Sequence, residues 1–212
     1  MTYLVLCSAP YQVQANSYAF TSDSYTFTTI NAGGSITQPW GISDTGQIVG
    51  SYYNTTNHGF LYNGGSVTTI DVPGATVEIE AFGINDAGQI AGRYGDATGG
   101  HGFLYSGDSF TPVDVPGATF TEVFGINDAG QTTGRYLDAT GYHGFLDSGG
   151  SFTPINVPGT DNGTQVFGIN DTGKIVGRYE DTTGTGVPEP SSLLLLGCGL
   201  LGLAAWRWKR AA

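Results

Sequence analysis

The sequence predicts an all-β protein of four-stranded repeats of about 42 residues, propeller-like with about four blades, plus a C-terminal hydrophobic helix. Three observations carry that expectation. Gly-Ile followed by Asn-Asp or Ser-Asp recurs at Gly41, Gly83, Gly125 and Gly168, spaced by 42, 42 and 43 residues. His-Gly-Phe recurs at His58, His101 and His143. Between turns the chain carries Phe, Ile, Val, Tyr and Thr, which suit a pleated, half-buried surface, and the joints carry Gly, Asn, Asp and Pro. A fixed period of this length marks a repeat fold in which each unit buries its apolar face against its neighbours.

The unit is clearest in residues 82–119, with the strand that precedes them. Strands are expected at 80–85 and 89–94 around Asp86-Ala87-Gly88, where glycine suits the left-handed position closing a short hairpin. A second pair, 101–105 and 109–115, flanks Ser106-Gly107-Asp108, and Pro116-Gly117 fits the centre of a type II turn. No sustained helical period interrupts them. Four antiparallel strands in about 42 residues is the size of a propeller blade. The 35 glycines match a fold with several tight turns per unit, because apolar residues still make up 39% of 212 residues.

Taken in order, residues 1–15 read as the remnant of a truncated signal peptide, without the basic start such a leader carries. The alternative is a disordered terminus. Leu6 before Cys7 is too large for a lipoprotein site. Residues 24–181 form the repeat body. Residues 24–40 align with 109–124, so the chain is expected to enter on the last strand of a unit and to leave after two strands of a further one. A strand near Ile30 is therefore a candidate to complete the blade begun at 166–179, although the sum falls one strand short. Either the ring closes imperfectly or the array is open, with edges that invite pairing.

From residue 182 the composition changes. Residues 182–190 are a linker ending in Val187, Pro188, Glu189 and Pro190, and residues 191–212 a hydrophobic segment with a basic end. Leu193, Leu194, Leu195, Leu196, Leu200, Leu201, Leu203 and Trp206 lie in an uncharged run, closed by Arg207, Lys209 and Arg210. As a helix that run is ~21 Å long against a ~30 Å hydrocarbon core, short for a permanent span unless its flanks extend it. The basic cluster should stay cytoplasmic and place the repeats across the membrane. A buried core helix is the alternative.

This tail resembles the PEP-CTERM sorting signal of Gram-negative bacteria, with the Pro-Glu-Pro triplet, leucine-rich segment and basic cluster in that order. The resemblance implies recognition by an exosortase, membrane association in transit, cleavage near the triplet, and release to the cell surface or an exopolysaccharide-rich matrix. The repeats resemble the extracellular repeats named for a His-Ala-Phe motif (HAF repeats), departing at the middle residue; this implies a fold and no activity.

Charge points the same way. Residues 1–190 carry 18 acidic against 4 basic groups, a net charge of −14, so phosphate backbones are repelled and nucleic acid is no partner. Both cysteines, Cys7 and Cys198, fall outside the body, whose stability cannot depend on disulfides.

Three side-chain sets could carry chemistry. His58, His101 and His143 could converge on a metal or repeat one hydrogen bond. Asp44, Asp86, Asp128 and Asp171, with Asn85, Asn127 and Asn170, could ligate Ca²⁺ or simply form hairpin turns. Gln38, Glu80, Glu122 and Gln165 align on the strand expected to line the central channel, where two carboxylates could hold a cation or act on a glycosidic bond. Arg93, Arg135 and Arg178 are expected to pair with Asp96, Asp138 and Asp181 three residues on. No aligned nucleophile and base is visible, so the expectation is a binding or structural role in the envelope or matrix, with no catalytic residue, cofactor or metal. A polysaccharide-active enzyme and a calcium-stabilised adhesion protein are the alternatives.

Overall fold

The computed structural model describes residues 19–23, 26–158 and 162–180. The described residues all fall in one compact unit, residues 1–180. The leader remnant, the Pro-Glu-Pro linker and the hydrophobic C-terminal segment lie outside the described residues. Among those residues there is no helix, and hence none long and apolar enough to cross a membrane.

Sixteen strands are described. β1 (Ala19–Asp23) and β2 (Thr26–Ile30) form a hairpin. Three antiparallel meanders follow: β3 (Ile36–Ile42), β4 (Ile48–Asn54), β5 (Thr56–Asn63) and β6 (Ser66–Ile70); β7 (Val77–Ile84), β8 (Ile90–Asp96), β9 (Gly99–Ser106) and β10 (Ser109–Val113); β11 (Phe120–Ile126), β12 (Thr132–Asp138), β13 (Gly141–Ser148) and β14 (Ser151–Ile155). β15 (Asn162–Ile169) and β16 (Ile175–Glu180) form a last hairpin. A single parallel bridge, Phe120 with Gly100, joins the second and third meanders into one sheet.

The expected units are therefore present, with one correction. The chain enters on two strands rather than one. Ala19 faces Ile30 and Phe20 faces Thr29, the register in which Gly102 faces Val113 and Phe103 faces Pro112. β1 is thus the missing third strand of a unit, hard to see in sequence because Tyr18-Ala19-Phe20 keeps only the phenylalanine of His-Gly-Phe. The two-stranded hairpins β1–β2 and β15–β16 flank three whole meanders. They belong to separate two-stranded sheets, and no sheet is closed.

Local chemistry explains the turns. In the second unit Asn85 N–H donates to Gln89 O at 3.1 Å and Gly88 N–H to Asn85 O at 3.0 Å, with Gly88 at φ 75°. Each first strand is bulged just before the Gly of Gly-Ile, between Pro39/Gly41, Ala81/Gly83, Val123/Gly125 and Val166/Gly168. The bulge raises the local twist and turns the strand toward the next unit. A second irregularity opens β7 and β15: Glu78 takes φ 39° where β15 uses Gly163 at φ 71°. Glycine adopts that backbone freely, and a side chain there is strained.

The core lies between units. Ile70 and Val72, from the end of the first meander, are buried with Ile79, Ala81, Ile90 and Phe103 of the second. Val113 repeats this against Val123, Tyr136 and Phe145, and Ile30 against Ile48, Tyr52 and Phe60. The phenylalanines of His-Gly-Phe, Phe60, Phe103 and Phe145, are fully buried. Thr132 and Thr133 occupy positions that are Ile48 and Val49, or Ile90 and Ala91, in the other units. Both hydroxyls are buried without a hydrogen-bond partner. An unpaired buried hydroxyl costs ~1–3 kcal/mol, so Thr132→Val should raise stability by about 1 kcal/mol in chemical denaturation; an unchanged or lower midpoint would contradict this.

Candidate functional site

The first strands of successive units, β3, β7, β11 and β15, bring the aligned ring residues to one face. Glu80, Glu122 and Gln165 each sit directly opposite an arginine on the second strand of the same unit: Arg93, Arg135 and Arg178. Arg93 Nε–H donates to Glu80 Oε2 at 2.6 Å and lies 3.2 Å from Glu122 Oε1, while Nη2 reaches Glu78 Oε2 at 2.8 Å. Arg135 Nε–H donates to Glu122 Oε2, and Arg178 Nε–H to Gln165 Oε1 at 3.2 Å. One guanidinium thus spans two units. Gln38 opposes Ser51 and is exposed. Glu80 and Glu122 are brought together as expected, but as partners of arginines. Glu122 is only 3% exposed, and a buried carboxylate requires such a partner. Burial disfavours the Arg93 charge, but Glu80, Glu122 and Glu78 more than offset it and raise its pKa.

The expected pairing of arginine with the aspartate three residues on is overturned for Arg93 and Arg135. Side chains alternate along a strand, so residues three apart point to opposite faces. Asp96 and Asp138 instead lie 3.3 Å from the Nε2 atoms of His101 and His143. Asp181 is outside the described residues; Arg178 lies 3.8 Å from Glu180. The separation of 13 residues about a hairpin, from Glu80 to Arg93 and from Glu122 to Arg135, was the signal in sequence. Aromatic rings extend the same face: Trp40, Phe82, Phe124 and Phe167 follow one another at 5.8, 5.1 and 5.5 Å. The Arg135 guanidinium lies over Tyr142 at 5.0 Å.

The Asx-Asp turns line a common cavity of about 130 Å³. Three of the four carboxylates, those of Asp86, Asp128 and Asp171, are already engaged. Asp44 N–H donates to Asp86 Oδ1 at 2.7 Å, Asp86 N–H to Asp128 Oδ1 at 2.9 Å, and Asp128 N–H to Asp171 Oδ1 at 2.8 Å. Asn85 Nδ2 donates to Asn127 O at 3.1 Å and Asn127 Nδ2 to Asn170 O at 3.2 Å. Among the described residues no three His, Cys, Asp or Glu side chains are grouped to hold a metal.

The histidines do not converge. His58 Nδ1 bonds Asp71 at 2.7 Å, His101 Nδ1 bonds Asp114 at 2.9 Å and His143 Nδ1 bonds Asn156 at 3.1 Å. Each Nε2 meets a threonine hydroxyl, of Thr56, Thr98 or Thr140. Each ring packs on a tyrosine, Tyr52, Tyr94 or Tyr136, at 5.1–5.3 Å. The histidine therefore ties its strand to the loop after the fourth strand. Burial lowers the His101 pKa, yet Asp114 and Asp96 outweigh it and leave it raised. The Thr98 hydroxyl and amide hold Asp96 below its usual range, and Thr140 does the same for Asp138.

Two outcomes follow from this geometry. Because the folded pKa of His101 is raised, its stabilisation is complete below the unfolded value of about 6.5 and lost as pH rises through the folded value. Melting curves across pH 5 to 9 should show that loss, and Asp114→Asn, which copies the His143–Asn156 pair, should flatten it. Arg135→Met, which removes one of the two guanidiniums on buried Glu122 and leaves Arg93 at 3.2 Å, should cost ~2 kcal/mol, whereas Glu78→Gln at the exposed end of the ladder should change stability by only ~0–1 kcal/mol. Equal effects in urea denaturation would contradict the assignment.

Comparison with known proteins locates one further feature. Residues 186–210 match the PEP-CTERM protein-sorting motif. The motif implies an exported protein that transits the membrane, is processed by an exosortase and ends at the cell surface. No curated protein matches the chain. Among solved structures the chain is similar to virginiamycin B lyase from Staphylococcus aureus, at 14% identity and a TM-score of 0.42, over 68% of this chain and 56% of that one. The chain thus spans little more than half of that protein's length.

Proposed function

We propose that this is an exported, acidic repeat protein of a Gram-negative envelope or exopolysaccharide matrix, acting there by binding or as a structural element. The sorting motif at 186–210 carries the reading. In it, the C-terminal segment holds the chain at the membrane in transit, and an exosortase separates it from a propeller-like body of the HAF-repeat kind. A matrix polysaccharide is the partner the reading favours. The role is non-catalytic and needs no cofactor. What supports this is the state of the polar side chains: Glu80 and Glu122 are held by arginines, and the carboxylates of Asp86, Asp128 and Asp171 by backbone amides. Groups engaged in this way are poorly placed to act on a glycosidic bond or to surround Ca²⁺ with six to eight oxygens.

The intact mass of the protein from the medium and membrane fractions of its native host tests the reading. A released form ending near Pro188 to Pro190 is expected, and a Pro188→Ala, Glu189→Ala variant should accumulate at full length in the membrane fraction. Release of that variant at the wild-type level and mass would count against sorting by this motif.

A further inference from the structure

The two ends of the repeat array are complementary, and we infer that the face beyond β15 and β16 of one chain receives the N-terminal half-blade and first blade of a second copy, head to tail. The contact is the one the chain already makes three times. At each junction the Gly of Gly-Ile lies against the backbone of the next first strand. A Cβ on Gly41 would lie 2.6 Å from Phe82 O, on Gly83 2.8 Å from Phe124 O, and on Gly125 2.9 Å from the Gly168 Cα. Gly168 keeps the glycine without the need. A Cβ there would meet only Val176 Cγ1, at an ordinary 3.4 Å.

The rest of the C-terminal face is similarly prepared. Val176 is 66% exposed, whereas Val49, Ala91 and Thr133 at the same place are 0% exposed because the next unit covers them. Phe167 ends the aromatic series, and Asp171 N–H, which continues the amide-to-carboxylate ladder, has no acceptor among the described residues. The N-terminal face is the mate. Ile42 is 67% exposed where Ile84 and Ile126 are 7% exposed, Trp40 opens the aromatic series, and the Asp44 carboxylate receives no amide among the described residues. β15–β16 is the inner half of a blade and β1–β2 the outer half. In the register of β12 with β13, where Arg135 faces Gly144 and Gly134 faces Phe145, β16 would place Arg178 opposite Ala19 and Gly177 opposite Phe20.

A second copy fits better than self-closure. In one chain every successive pair of turns is bonded through the Asp ladder, but Asp44 and Asp171 are not, and β16 does not pair with β1. The sequence after β16 is the sorting tail, not a further unit. A heterologous contact of this kind forms a ring if its rotation closes and a filament if it does not.

The test uses the full chain in mild non-ionic detergent, with Cys7→Ser and Cys198→Ser in the background. Under oxidation, a mixture of an Asp44→Cys chain with an Asp171→Cys chain should give a disulfide-linked heterodimer, while an Asp86→Cys, Asp128→Cys chain should cross-link internally as the control. A disulfide seen only within a chain carrying both Asp44→Cys and Asp171→Cys would show self-closure and overturn the proposal. So would no cross-link when the control forms. Independently, Gly168→Ala should leave Tm unchanged but weaken self-association at least tenfold in sedimentation velocity, whereas Gly83→Ala should lower Tm. Association of the Gly168→Ala chain at wild-type strength, or a wild type that stays monomeric, would also overturn it.

Discussion

The structure depends on how closely one Gly-Ile-Asx-Asp strand end can approach the next. At Gly41, Gly83 and Gly125 there is no room for a Cβ between neighbouring backbones. That proximity lets each aspartate amide find the next aspartate carboxylate, and lets Asn85 and Asn127 bond the next turn's carbonyl. The bulge before each glycine sets the angle of approach. Because every unit offers both a donor and an acceptor, the junction propagates in one direction, and among the described residues only the ends of the series lack a partner. The apolar clusters follow the same logic, each shared across a junction rather than enclosed within a unit. No unit keeps its core if its neighbour is removed, the behaviour expected of a repeat array whose stability resides in nearest-neighbour interfaces.

What the sequence revealed, and what it hid, follows from that division. The turns were legible because their residue types are imposed by local backbone geometry: Gly88 at positive φ and the Asx positions that close the hairpin. The period was legible because the same junction is made repeatedly. The arginine ladder was not, since Arg93 is far closer in sequence to Asp96 than to Glu80, and only strand alternation and hairpin register show which of the two it meets. β1 was hidden by the loss of His and Gly from its motif. Glu78 was hidden for another reason: an inserted residue at the entrance to β7 is recognisable only when the equivalent site, Gly163, is known to take the same left-handed backbone.

The histidines show how repetition can imitate function. A histidine bonded through Nδ1 to a carboxylate and through Nε2 to a hydroxyl has the connectivity of a catalytic relay. Here it occurs three times, in step with the repeat, and in the third copy Asn156 replaces the aspartate without changing the arrangement. The stacked tyrosine and the loop after the fourth strand are its constant neighbours. A group repeated with every unit, and tolerant of losing its charge partner, is holding strands together.

Charge distribution adds a constraint on partners. Of the four basic residues in residues 1–190, Arg93, Arg135 and Arg178 all face the axial strands, where they neutralise or cap Glu80, Glu122 and Gln165. Only Lys174 is placed elsewhere. The remaining surface therefore bears most of the net charge of −14 with little compensation. An anionic polymer approaching such a surface is repelled over roughly a Debye length, ~8 Å at physiological ionic strength, and a neutral one is not. The aromatic rings of the first strands, Trp40 to Phe167, offer apolar contact that does not depend on charge. The charge distribution thus disfavours anionic polymers and leaves neutral or cationic ones as the class compatible with this body.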